Sequence, residues 1–146
     1  MKIFLIWLFL SLAFYGGFGI YWDYKLTANP RQIVILLDAS NPMKPDFVEA
    51  KNSVRKIISD VPKYVEPLVY TSKGTQISIN DKNPKLGDIK PYSKRDFEKF
   101  FEKHQSDLKN AKEKILITNI SESKIKDQFG KELFATWRIN TIKKTE

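Results

Sequence analysis

The segment QIVILL, which runs into Asp38, constrains this chain more than any other feature. From Ile33 to Leu37 every residue is apolar and three are β-branched, so no polar alternation marks a wet face. Such a run reads as a strand buried on both sides. A strand of that kind needs a sheet neighbour on each edge and a covering layer on each face. A second run of the same character, Ile115 to Thr118, ends at Asn119.

The remaining sequence supplies the covering layers. Phe47, Ala50, Val54, Ile57, Ile58 and Val61 recur at helical spacing from Asp46 onward, and Pro62 stops that helix. Residues 64–71 read as a strand with Pro67 as an irregularity. Ser72, Lys73 and Gly74 form a turn, and residues 75–80 return as an antiparallel strand. Residues 81–92 hold Pro84, Gly87 and Pro91 and read as a loop. Ser93 is expected to begin a second helix, with Asp96 completing a capping-box variant. Its apolar face holds Phe97, Phe100, Phe101, His104, Leu108 and Ala111. Residues 121–129 form a short helix stopped by Gly130. Leu133, Ala135, Trp137 and Ile139 alternate as a last strand. Strands that alternate with helices predict an α/β fold: a three-layer, Rossmann-like, mostly parallel sheet with one antiparallel edge strand. The expected core holds Ile35, Leu37, Phe47, Val54, Ile58, Phe97, Phe101, Leu116 and Trp137.

Ile3 opens and Trp22 closes a run of twenty residues without a charge. As a helix it spans about 30 Å, the thickness of a bilayer's hydrocarbon core. Lys2 precedes it, and Tyr21, Trp22 and Tyr24 supply an aromatic belt at its far end. The run therefore reads as an uncleaved transmembrane helix. The rival reading is a signal peptide cleaved near the small residues Gly17 and Gly19. Both readings carry the rest of the chain out of the cytoplasm, to a periplasmic or extracellular location. The expected division is an anchor at 1–23, a linker at 24–32, an α/β domain at 33–140 and a basic tail at 141–146.

The chain has no cysteine, which excludes disulfides and thiolate metal sites. Its 25 Lys and Arg outnumber its 17 Asp and Glu, but the lysines are scattered among acids as on a solvated surface. Only Arg31, Arg55, Arg95 and Arg138 are arginines, the residue that phosphate and base recognition favours. Nucleic acid is not an expected partner.

Chemistry concentrates at the strand ends, where α/β sheets bind ligands. Asp38, Ser40 and Asn119 are the candidate residues. The simplest role for Asp38 and Ser40 is to cap the turn into the first helix by bonding backbone amides. Asn119 with Ser121 can cap the third helix in the same way.

Three segments resemble the von Willebrand factor A domain family. QIVILLDASNPM followed by FVEAKNSVRKII is similar to that family's first strand, metal loop and first helix. PLVYTSKGTQISI resembles its hairpin with an antiparallel edge strand, and EKILITNIS its strand ending in a Thr-Asp pair. The resemblance implies a metal-ion-dependent adhesion site, in which Asp-x-Ser-x-Ser, a second-loop threonine and an aspartate hold magnesium for a partner's carboxylate. Asp38 and Ser40 match the first two ligands. Pro42 stands in place of the second serine, and Asn119 in place of the aspartate. No threonine occurs between Gln76 and Ile117. Affinity for a hard cation follows ligand number and charge, so the expected metal site at Asp38, Ser40 and Asn119 is degenerate and no cofactor is expected.

The functional expectation is a membrane-anchored, exported, non-catalytic domain that binds a protein partner, as in an envelope assembly. One alternative is a weak magnesium-dependent adhesion domain using Asp38 and Ser40. A second is a phosphatase-like enzyme built on Asp38 and Asn119. That chemistry calls for a second acid near the nucleophile, where this chain has Ser40. The sequence holds one histidine and no glycine-rich phosphate loop, and no small-molecule substrate is expected.

Overall fold

A computed structural model of the chain describes residues 31–142. The expected anchor between Ile3 and Trp22 lies outside the described residues. Among the described residues, no helix is long and apolar enough to cross a membrane.

A five-stranded sheet forms the centre. β1 (Arg31–Leu37) lies in the middle, with β2 (Val65–Thr71) parallel on one edge and β6 (Glu113–Thr118) parallel on the other. β3 (Gln76–Ile77) pairs antiparallel with β2, and β7 (Arg138–Thr141) parallel with β6. The order is therefore β3-β2-β1-β6-β7, with one antiparallel strand at an edge.

The pleat of β1 divides the core in two. Ile33, Ile35 and Leu37 join Val69, Ile115 and Ile117 beneath α1 (Phe47–Asp60), which buries Phe47, Ala50, Val54 and Ile58. Val34 and Leu36 join Tyr70 and Leu116 on the other face. There they meet Phe100 of α2 (Glu98–Lys103), Ile125 of α4 (Glu122–Phe129), and Phe97, Phe134 and Trp137. Each helix thus presents its apolar spacing to a strand face that has no polar side. The last carbonyls of α1 are capped from a distance: Lys82 Nζ donates to Val61 O at 2.6 Å and to Ser59 O at 3.3 Å.

Pro67 fits β2 for a specific reason. Ser72 N–H donates to Leu37 O across to β1, whereas Thr71 N–H donates to Thr75 O. Odd-numbered residues of β2 therefore turn their amides away from β1. Pro67 belongs to that set, and β3 pairs only with Val69 and Tyr70, so its missing N–H removes no ladder bond.

Several boundaries differ from the sequence expectation. Residues 75–80 do not form one strand. β3 ends at Ile77, and β4 (Ile79–Asn80), the end of the expected strand, turns back as a separate hairpin onto β5 (Asn83–Pro84), which lies inside the expected loop. Asp81 and Lys82 make that turn with φ of 47° and 62°, the left-handed pair that a two-residue hairpin requires. Without a glycine, the turn had no obvious signature. Ser93 does not begin a helix: its φ is 49°. Asp96 makes the turn into α2 instead, accepting the Glu98 amide at 2.9 Å. The long helix then breaks at His104 and resumes as α3 (Gln105–Asn110).

The break follows from what His104 touches. Its ring lies 4.1 Å from the Tyr70 ring, and its Nε2 is 2.8 Å from the Gly74 carbonyl, which can only accept, so Nε2 is the donor. Gly74 itself has φ of 76°, and a Cβ there would press on the α2 backbone at Lys99 and Phe100. The last strand starts later than its alternation suggested. Phe134 and Trp137 are both buried and joined by a turn, Trp137 N–H to Phe134 O, while Leu133 is exposed. Of the expected core, Phe101 is only half-buried; its neighbour Phe100 is enclosed.

Phe100→Ala is expected to lower the unfolding free energy by about 3–5 kcal/mol, and Phe101→Ala by clearly less, as read by urea denaturation. Tyr70 supplies a pH test. Burial, then the hydrogen bond to Asp107 at 2.7 Å, hold its phenol well above the ordinary range. The folded state keeps this proton longer than the unfolded state does. Its contribution is therefore complete below about pH 10 and falls as pH rises beyond that. Wild type is expected to lose stability more steeply above that pH than Tyr70→Phe.

Candidate functional site

The chain leaves β1 over one face of the sheet and reaches β6 over the other, so the crevice that such a topology creates falls beyond the carboxyl ends of these two strands, and here Arg95 and the loops fill it. Asp38 lies beneath them. It follows β1 directly, its amide donates to Ile117 O at 3.0 Å, and it has no exposed surface. A carboxylate removed from water needs its oxygens bonded and its charge matched.

Both needs are met. Oδ1 accepts the Ser40 amide at 3.1 Å, closing the turn. Oδ2 accepts the Thr118 hydroxyl at 2.8 Å and the Arg95 Nε–H at 2.6 Å. Arg95 then bridges onward, because its Nη2 donates to Asn119 Oδ1. The Asn119 amide donates in turn to Pro42 O at 2.9 Å and to Asp46 Oδ2 at 2.7 Å. One guanidinium thus ties the end of β1 to the end of β6, and the asparagine extends the tie to the entry of α1. All of these except the bond to the Pro42 carbonyl involve a charged group and are stronger than neutral ones.

The loops around this network are fixed by backbone bonds. Tyr92 N–H donates to Ala39 O at 2.8 Å, and Asn41 N–H to Ser93 O at 2.9 Å. The left-handed backbone at Ser93 lies between those clamps and Arg95. That conformation is costly for a non-glycine residue and persists where surrounding contacts enforce it. On the other side of β1, Ser72 Oγ accepts the Ala39 amide at 3.1 Å. The Tyr92 hydroxyl accepts the Lys73 amide at 2.8 Å, and the Lys73 ammonium lies 3.7 Å above the Tyr92 ring.

Of the three residues singled out in the sequence, Asp38 and Asn119 meet through Arg95. Ser40 lies beside them on the same loop, and its Oγ is buried with no hydrogen-bond partner among the described residues. Asn119 does not cap α4 with Ser121, whose hydroxyl pairs with Ser123 instead. The sequence reading missed Arg95 and Thr118. Arg95 was one of four arginines in a chain whose cations are mainly lysine, a signal for a site that needs a planar fork.

With Arg95 in place the donor set does not fit a divalent cation. Asp38 Oδ2 faces a guanidinium, which stands where a metal would have to approach, and Asn119 Oδ1 is committed to the same group. Among the described residues, no group of three or more His, Cys, Asp or Glu converges on a common point. No family model matches this sequence, and no curated protein matches it either.

Asp38→Ala would strand the Arg95 side chain, which is only 11% exposed, without its counter-charge. The expected loss is about 3–5 kcal/mol, the scale of a broken buried pair, and not the roughly 0.5–2 kcal/mol of a lost cap. Chemical denaturation distinguishes the two.

Proposed function

We propose that this chain is a membrane-anchored, exported domain of von Willebrand A-like, Rossmann-like type that binds a protein partner and carries out no catalysis. Its setting is a cell-envelope assembly. The observation that carries this reading is the engagement of the Asp38 carboxylate. Both oxygens are bonded, its charge is matched by Arg95, and it has no exposed surface. A nucleophile or general base needs a lone pair directed at a substrate. This group has been turned to holding three segments together.

The fold features support the same reading. The antiparallel edge strand and an acidic residue ending the central strand are both implied by the family resemblance. The surface offered to a partner is the rim of the crevice. It includes Asn41, Pro42, Lys44 and Pro45, then Val48, which is 74% exposed on the first turn of α1. This rim is held in shape from beneath by the bond from Asn119 to Pro42 O.

Photo-crosslinking in intact cells tests the proposal. A photoreactive residue at Lys44 or Val48 of the full chain is expected to give one discrete protein adduct. The same residue at Lys63 or Lys112, near the opposite ends of the strands, is expected to give none. A reporter that works only outside the cytoplasm, fused after Glu146, is expected to be active. Adducts of equal yield from all four positions, or an inactive reporter, would overturn the reading.

A further inference from the structure

We infer that the Arg95 guanidinium is a tethered cation in the place a free cation would otherwise take between Asp38 and Asn119. Removing it converts the crevice floor into a binding site for a cation from solution. The family resemblance implies a metal at Asp38, and the residues present do not accommodate one. Arg95 accounts for that disagreement, because the positive charge is already supplied by the chain itself.

The inference rests on the oxygen atoms that surround the guanidinium. Asp38 Oδ2 and Asn119 Oδ1 both accept from it, and Thr118 Oγ1 bonds the same Asp38 oxygen. Ser40 Oγ, two residues from Asp38, is buried and unpartnered. Asp38 Oδ2, Asn119 Oδ1 and Thr118 Oγ1 are hard oxygen donors with one formal negative charge, the kind of set that holds a guanidinium or, once that is removed, a hydrated divalent ion. The Arg95 Nε and Nη2 are spent on this set. The backbone clamps at Tyr92 and Ser93 bring the arginine in from the far side of the crevice. An intramolecular cation has a large advantage over a free one, since its tether supplies a high local concentration. The resident charge therefore excludes metal from the wild-type protein, and its loss exposes an uncompensated buried carboxylate that any fitting cation would stabilise.

Thermal melts of the full chain test this with magnesium chloride, with millimolar guanidinium chloride, and with sodium chloride at matched ionic strength. Wild type is expected to melt at the same temperature in EDTA, magnesium and guanidinium. Arg95→Ala is expected to melt lower, and to recover saturably with guanidinium, magnesium or both. The double variant Asp38→Ala/Arg95→Ala is expected to lose that recovery. Recovery by either cation supports the inference, and which one succeeds tells whether the shape of the fork or the charge density governs the site. A wild-type midpoint that rises with magnesium overturns it. So does an Arg95→Ala chain that responds to neither cation, or one that melts like wild type.

Should Arg95→Ala fail to fold, NMR of wild type decides. Arg31, Arg55 and Arg138 are exposed, so a single arginine Nε–H is expected to be protected from solvent exchange and unmoved by magnesium. Absence of a protected signal, or a magnesium-dependent shift of it, overturns the inference. None of these measurements involves a partner. A failed crosslink therefore leaves the tethered cation standing, and a failed rescue leaves the binding reading standing.

Discussion

The burial of β1 from Ile33 to Leu37 is the constraint on which the rest of the structure depends. It is paired on both edges, and its residues from Val34 to Leu37 have no exposed surface. Hydrophobic burial on both faces requires α1 on one side and the aromatic cluster around Phe97, Phe100, Phe134 and Trp137 on the other. The chain must therefore leave the end of β1 within a closed interior. Whatever residue follows Leu37 is buried by the same architecture, and that residue is Asp38.

A buried carboxylate at that point creates a demand that the fold answers locally. The Ser40 amide and Thr118 hydroxyl are close in space because β1 and β6 are in register, Leu37 opposite Ile117. Arg95 comes from a segment with no regular structure. Its placement requires the left-handed turn at Ser93 and the two backbone clamps onto Ala39 and Asn41. The irregularity before α2 is thus the means by which the cation reaches its partner. A longer, regular helix from Ser93 would carry residue 95 in its first turn, without that turn or the route it gives Arg95.

Polar closure at one end of the sheet has a mechanical consequence. Asp38, Arg95, Asn119 and Asp46 connect the end of β1, the segment before α2, the end of β6 and the entry of α1. Loops at the ends of strands are usually the least stable parts of an α/β domain. Here they share one network, so the rim around the ends of β1 and β6 is preorganised. A partner that binds a preorganised rim gives up less conformational entropy on ordering it.

Sequence by itself determined the type of most elements and the position of the acidic residue. Apolar runs at Ile33 and Ile115, helical spacing from Phe47, and the turn at Gly74 depend on local periodicity and steric preference, which neighbours in sequence express. The same local rules failed where distant contacts overrode them. His104 breaks a helix because of Tyr70 and Gly74, and Ser93 adopts a left-handed backbone because two loops clamp it. Asp38, Ser40 and Asn119 stood out because each follows a buried strand. Arg95 lies 57 residues from Asp38, in a stretch whose charge pattern matches any solvated surface. Only the tertiary structure decided that this arginine, and no lysine, meets the buried carboxylate. Charge pairing across the crevice depends on how the chain's two crossings of the sheet converge, and no local pattern encodes that distance.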